Sequence, residues 1–162
     1  MNISENQINQ IVKNTIENLR EENKNITLKT AKIICERVQN KAEQMGISVV
    51  AAVYNSFARP VLIQCGDGAF VASFDIAKNK AYTASALKMH TKDLKKLAQP
   101  GGELYGIQNT NDGQIVIFGG GNVLKIGQTV VGAVGVSGGT EKEDTYLADY
   151  AERVFSEEIK CM

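Results

Sequence analysis

A chain of 162 residues, 43% of them apolar and with zero net charge, is long enough for one globular domain with a real core. The neutral balance, the lack of a long basic block, and five Tyr and five Phe not interleaved with arginine argue against nucleic acid as main partner. No apolar run reaches the roughly 18 residues of a membrane span, and the N-terminus lacks a secretory pattern, so a cytoplasmic protein without membrane association is expected.

Along the chain, residues 4–19 come first. They place Ile8, Ile11, Val12, Ile16 and Leu19 on one helical face, with Ser4 as N-cap and Asn, Gln, Lys and Glu on the other. Residues 20–25 read as a polar linker. A short amphipathic helix on such a tether cannot bury its stripe alone; it must dock on its own domain or on a partner. The expected division is therefore a segment 1–25 and a body 26–162.

In the body, Thr27 is expected to cap a helix running to Met45, with Ala31, Ile34, Cys35, Val38 and Ala42 inward and Gly46 ending it. Residues 47–54 form a continuous apolar strand, 55–58 a turn, and 60–65 the returning strand of a hairpin. Gly66-Asp67-Gly68 breaks the chain before a helix over 69–89, whose many alanines suit close approach to a sheet or another helix. Thr91 can cap a short helix to Leu97, which Pro100-Gly101-Gly102 ends. Strands are expected at 114–118, 123–126 and 129–136. Thr140 then caps a terminal helix with Glu141, Glu143 and Asp144 in its first turn, where the helix dipole favours them. Hairpins dominate this order. The fold class is α+β, a mainly antiparallel sheet flanked by helices, plus the detached N-terminal helix.

Three features bear on chemistry. The glycines of Gly119-Gly120-Gly121 and of Gly138-Gly139 end apolar strand-like runs, where backbone approaches something closely. Neither a Rossmann nor a P-loop spacing is present, which leaves an anion site at the helix N-terminus after Gly139, or close packing alone. His90 is the only histidine. One imidazole cannot make a multi-histidine metal site, but haem needs only one protein ligand, and Met89 beside it is another iron ligand type. The alternative is a linker histidine without a ligand. Lys80 reads first as a surface lysine near Asp75 and Lys78, with a pocket-facing orientation as the alternative. Cys35, Cys65 and Cys161 are odd in number, without a Cys-x-x-Cys pair, and read as reduced thiols. No catalytic triad or carboxylate pair stands out, so no catalytic residue is named.

The pattern from Leu28 to Gly46, the run Ala77-Lys78-Asn79-Lys80-Ala81-Tyr82-Thr83-Ala84, the triplet Gly119-Gly120-Gly121 and the stretch Gly132–Thr140 with Asp144 resemble the GlcG/HbpS-like family, which includes the C-terminal domain of PduO-type proteins. The likeness covers about residues 26–160. It implies a profilin-like fold, homo-oligomers, haem binding in several members and corrinoid-related roles in others, with no enzymatic activity established for the class. It marks Lys80, Thr83, Gly119, Gly120, Gly121, Gly138 and Gly139 as motif positions around a cofactor, and His90 is the residue to expect on haem iron. This chain departs from the pattern at Asn55, where members usually carry aspartate, and at Asn122, where a proline commonly follows the glycine triplet. Residues 4–19 resemble an encapsulation peptide of bacterial microcompartment cargo. That likeness implies docking of Ile8, Ile11, Val12, Ile16 and Leu19 onto shell or cargo proteins. The function expected from both likenesses is an accessory haem or corrinoid protein inside such a compartment. The alternative is an enzyme or binding protein that holds a small anionic metabolite with Lys80 and the glycine-rich helix N-terminus.

Overall fold

The computed structural model describes residues 4–22 and 25–160, with side chains from residues 4–15 and 25–160. The side chains of Ile16 and Leu19, and Cys161, lie outside the described residues. Among the described residues, five α-helices and four strands follow in the order α1 (Glu5–Glu22), α2 (Leu28–Gln44), β1 (Val50–Asn55), β2 (Pro60–Cys65), α3 (Val71–Leu87), α4 (Thr91–Leu97), β3 (Gly121–Ile126), β4 (Thr129–Ser137) and α5 (Glu141–Lys160). The strands make one antiparallel sheet in the order β2-β1-β4-β3. No helix among the described residues is long and apolar enough to cross a membrane.

Local signals fix the helix ends. Thr27 Oγ1 accepts the Thr30 N–H at 3.2 Å, which satisfies one of the orphan amides of α2. At α5 the cap is reciprocal: Thr140 Oγ1 accepts the Glu143 N–H, and Glu143 Oε2 accepts the Thr140 N–H at 2.7 Å.

Strand alternation sends Ala51 and Val53 of β1 to one side and Val50 and Ala52 to the other. On the first side they meet Ile34 and Val38 of α2 and Leu147 and Ala151 of α5, the main core. Each such aliphatic side chain contributes about 1.5–3 kcal/mol when fully buried. On the second side α3 lies across the sheet through Ala77, Ala81 and Ala84. Small residues on both surfaces allow that approach. A Cβ on Gly135 of β4 would stand 2.1 Å from the Ala77 carbonyl oxygen and 2.5 Å from the Ala81 nitrogen.

The expected strand at 114–118 does not form. Residues 115–117 carry no regular structure, and the chain there is pinned to α3: the Val116 N–H donates to Thr83 Oγ1 at 2.9 Å, and that hydroxyl reaches the Gln114 carbonyl at 3.2 Å. A short apolar run has no period of its own, and here a threonine on the helix takes the amide that a sheet neighbour would have paired. β3 instead begins at Gly121, two residues earlier than expected. The N-terminal helix continues to Glu22, into what the sequence reads as linker. Along it, Ile8, Ile11 and Val12 are 49%, 57% and 50% exposed.

Candidate functional site: the Lys80 cluster and His90

Lys80 is not on the surface. It is fully buried on α3, and its ammonium donates to Asp144 Oδ2 at 2.7 Å and to the Val136 carbonyl at 2.9 Å. The Phe118 ring covers it, with Nζ 4.9 Å from the ring centroid, a cation–π distance. Asp144 reaches the pair from the first turn of α5. Its second oxygen, Oδ1, accepts the Gly139 N–H at 3.0 Å. Burial pulls the Lys80 ammonium below its ordinary value and pushes the Asp144 carboxyl up, while their mutual attraction works against both shifts.

The glycines wrap this pair. A Cβ on Gly120 would lie 2.6 Å from Lys80 Nζ, and Gly120 holds a φ of +108°, which an L side chain rarely adopts. A Cβ on Gly121 would meet the Lys80 carbonyl oxygen at 2.7 Å, and one on Gly138 the Ser48 carbonyl at 2.2 Å. The Gly119 N–H donates to Glu141 Oε1 at 3.0 Å, and Glu141 also accepts from Lys95 Nζ at 2.7 Å. The amide from Gly119, then the Lys95 ammonium, hold the Glu141 carboxyl below its ordinary value. Thr83, one turn along α3 from Lys80, holds the 114–116 segment rather than facing a pocket.

Lys80, Gly120, Gly138 and Gly139 therefore converge on one buried ion pair, while Gly121 packs on the Lys80 backbone and Thr91, and Gly119 on Thr145 and Glu141. The amides at the start of α5 are taken by the chain's own acids: Asp144 on Gly139 and Glu143 on Thr140. That arrangement counts against the anion-site reading, because Lys80 spends its charge on Asp144. Periodicity missed Asp144 as the partner of Lys80; its first-turn position explained it equally well as a dipole-complementing acid.

His90 sits at the N-cap of α4, half-buried, and its Nδ1 is buried with no hydrogen-bond partner. It connects to the glycine cluster through its neighbour Thr91, whose Oγ1 accepts the Gly121 N–H at 2.9 Å. Most buried polar atoms are paired, so a ring nitrogen left over asks for an explanation. An imidazole that the protein leaves uncommitted fits the part of an axial ligand.

The architecture and motifs match one family model, described as "Haem degrading protein HbpS-like", over residues 26–152. The chain belongs to the HbpS-like family. Its relatives include an uncharacterized 15.0 kDa protein in the dhaT-dhaS intergenic region of Citrobacter freundii, 46% identical over 132 residues, 82% of this chain and 93% of that protein. Among solved structures, the Klebsiella pneumoniae protein ORFY superposes with a TM-score of 0.79 at 44% identity, covering 81% of this chain and 90% of that one. A haem complex of PduOC superposes at 0.77 with 28% identity over 80% of this chain and 94% of that one. This chain thus has the antiparallel sheet and flanking helices expected from the sequence, with Lys80 buried between α3 and α5.

Proposed function

We propose that this protein is an accessory haem-binding protein, not a catalyst in its own right, with His90 as the axial ligand. The observation that carries the reading is the match to PduOC, which spans 94% of a chain crystallised as its haem complex. The partner-free Nδ1 of His90 supports the choice of ligand. Haem supplies an iron centre open to ligand or redox chemistry; this chain's part is to hold it. Gly119, Gly120 and Gly121 contribute by fixing the backbone next to Thr91 and so the setting of His90, while Lys80, Thr83, Gly138 and Gly139 keep α3 and α5 in place around it. A corrinoid is the second choice of cofactor.

The protein acts as a homo-oligomer and as cargo of a bacterial microcompartment. Exposed apolar side chains on the body, Phe70 at 72% and Val71 at 95%, support self-association. The half-exposed Ile8, Ile11 and Val12 on α1 support docking of residues 4–19 in a groove of a shell or cargo protein, with 1–25 as targeting segment and 26–162 as the binding domain. Titrating the protein with haemin tests the cofactor: a saturable shift of the Soret band at a fixed stoichiometry is expected, and a spectrum identical to free haemin refutes it. Deleting residues 1–20 tests the targeting. The truncated protein is expected to stay oligomeric and to lose co-purification with shell proteins; unchanged co-purification refutes that part.

A further inference from the structure

The two edges of the sheet differ. β3 carries Lys125 on one, whereas β2 on the other has no charged side chain from Pro60 to Cys65. Free edges are usually guarded by charge, a bulge or a covering element, because unpaired amides and carbonyls invite another strand. The irregularity of β2 falls between Pro60 and Leu62, which leaves Leu62 to Cys65 regular. On the inner side the Gly66 N–H donates to the Val49 carbonyl at 2.9 Å, so Val49 and Gly66 are a bonded pair. Alternation along an antiparallel ladder then turns Gln64 toward β1 and leaves the N–H and C=O of Ile63 and Cys65 facing outward. Among the described residues β2 pairs with β1 alone, and no other hydrogen bond reaches those outward groups.

Apolar surface lies beside this edge. Ile63 and Ala69 pack on the same cluster of Val50, Ala52 and Tyr54, so the start of α3 sits next to β2, and Phe70, Val71 and Phe74 there are all exposed. The charges at the two ends of β2 point to a second copy of this chain as the occupant. Arg59 and Asp67 are exposed, opposite in sign, and lie just beyond either end of the strand; among the described residues neither has an ion-pair partner. Antiparallel pairing about a twofold axis at Ile63 sets Ile63 against the partner's Ile63, and it sets Arg59 against the partner's Asp67. The axis repeats that charge match at the other end, as a self-complementary interface requires. Resting on the homo-oligomer reading above, we infer that β2 pairs with β2 of a second copy about Ile63. The contact joins two four-stranded sheets into one, bracketed by Arg59–Asp67 pairs and flanked by Phe70, Val71 and Phe74.

Native mass spectrometry and sedimentation equilibrium of the full chain read the contact. Cys65→Pro removes an outward N–H and takes none from the ladder with β1, so the oligomer should fall to half its mass or less. Cys65→Ser keeps that amide and should leave the mass unchanged. Arg59→Asp places like charges at both ends of the interface and should weaken association at least about tenfold. Arg59→Asp/Asp67→Arg should restore it. Both charge variants lie outside β2 and leave its backbone unchanged, so they test the contact independently of the proline. A monomeric wild type overturns the homo-oligomer reading and this interface with it. A wild-type oligomer that Cys65→Pro or Arg59→Asp leaves intact, or a loss in Arg59→Asp that the double variant does not recover, overturns the β2 pairing alone.

Discussion

Replacing Lys80 with methionine tests the interior of this fold most sharply. The substitution keeps an unbranched side chain, one atom shorter, and removes its charge, leaving the Asp144 carboxylate buried with the Gly139 amide but without its 2.7 Å partner, and the Val136 carbonyl without the Lys80 ammonium. Breaking a buried pair from one side costs about 3–5 kcal/mol, since an uncompensated charge remains. Against a total of about 5–15 kcal/mol for a domain, that is a large share. With a urea slope of about 2 kcal/mol per molar, the midpoint should fall by about 2 M. The double variant Lys80→Met/Asp144→Asn should recover much of the loss, because neutral Asn can still accept from Gly139 while no charge is stranded. The pH dependence has a definite sign. Burial raises the Asp144 carboxyl, so in Lys80→Met the folded state takes up a proton before the unfolded state does, and the deficit against wild type shrinks as pH falls. A loss below about 1 kcal/mol, or two single effects that simply add, would refute the buried pair.

Three further outcomes follow from other parts of the fold. Gly135→Ala forces a Cβ into the backbone of α3 at 2.1 Å from the Ala77 oxygen, so thermal melting should drop by at least the about 1–3 kcal/mol typical of overpacking; an unchanged melt would mean α3 is not seated on β4. Glu141 is held below its ordinary value of 4.5 by the Gly119 amide and then Lys95, so its contribution is complete above pH 4.5 and is lost as pH falls through the lower folded value. Wild type should therefore lose stability below pH 4.5 more steeply than Glu141→Gln, and parallel acid profiles would contradict the Gly119–Glu141 bond. The Cys35 thiol is buried and pushed up to about 12, first by desolvation and then by Glu36, whereas Cys65 is exposed. Iodoacetamide at pH 8 should label Cys65 in the folded protein and Cys35 only in denaturant; mass mapping that finds equal rates would count against this core.

Much of the fold is legible because its signals are local. Thr27 and Thr140 announce helix starts through hydroxyls that each serve the amide three residues on, and Pro60–Cys65 and Thr91–Leu97 form where punctuation places them. The segment 114–118 is illegible because its amide partner, Thr83, lies on another element 33 residues away. The same holds for Lys80. Beside Asp75 and Lys78 it looks like one more surface charge, and only its partner 64 residues downstream makes burial affordable. The glycine clusters are readable as close approaches, but whether they face a ligand or α3 and Lys80 depends on packing that no spacing encodes. The motif likeness narrows the fold where these contacts cannot be read.

The claim at the centre of this account is that haem is held through His90. Because the chain has a single histidine, the ferric haem complex should show histidine-type nitrogen ligation by electron paramagnetic resonance. His90→Ala should lose that signature, and added imidazole should restore it. A His90→Ala complex with the wild-type spectrum would contradict the assignment.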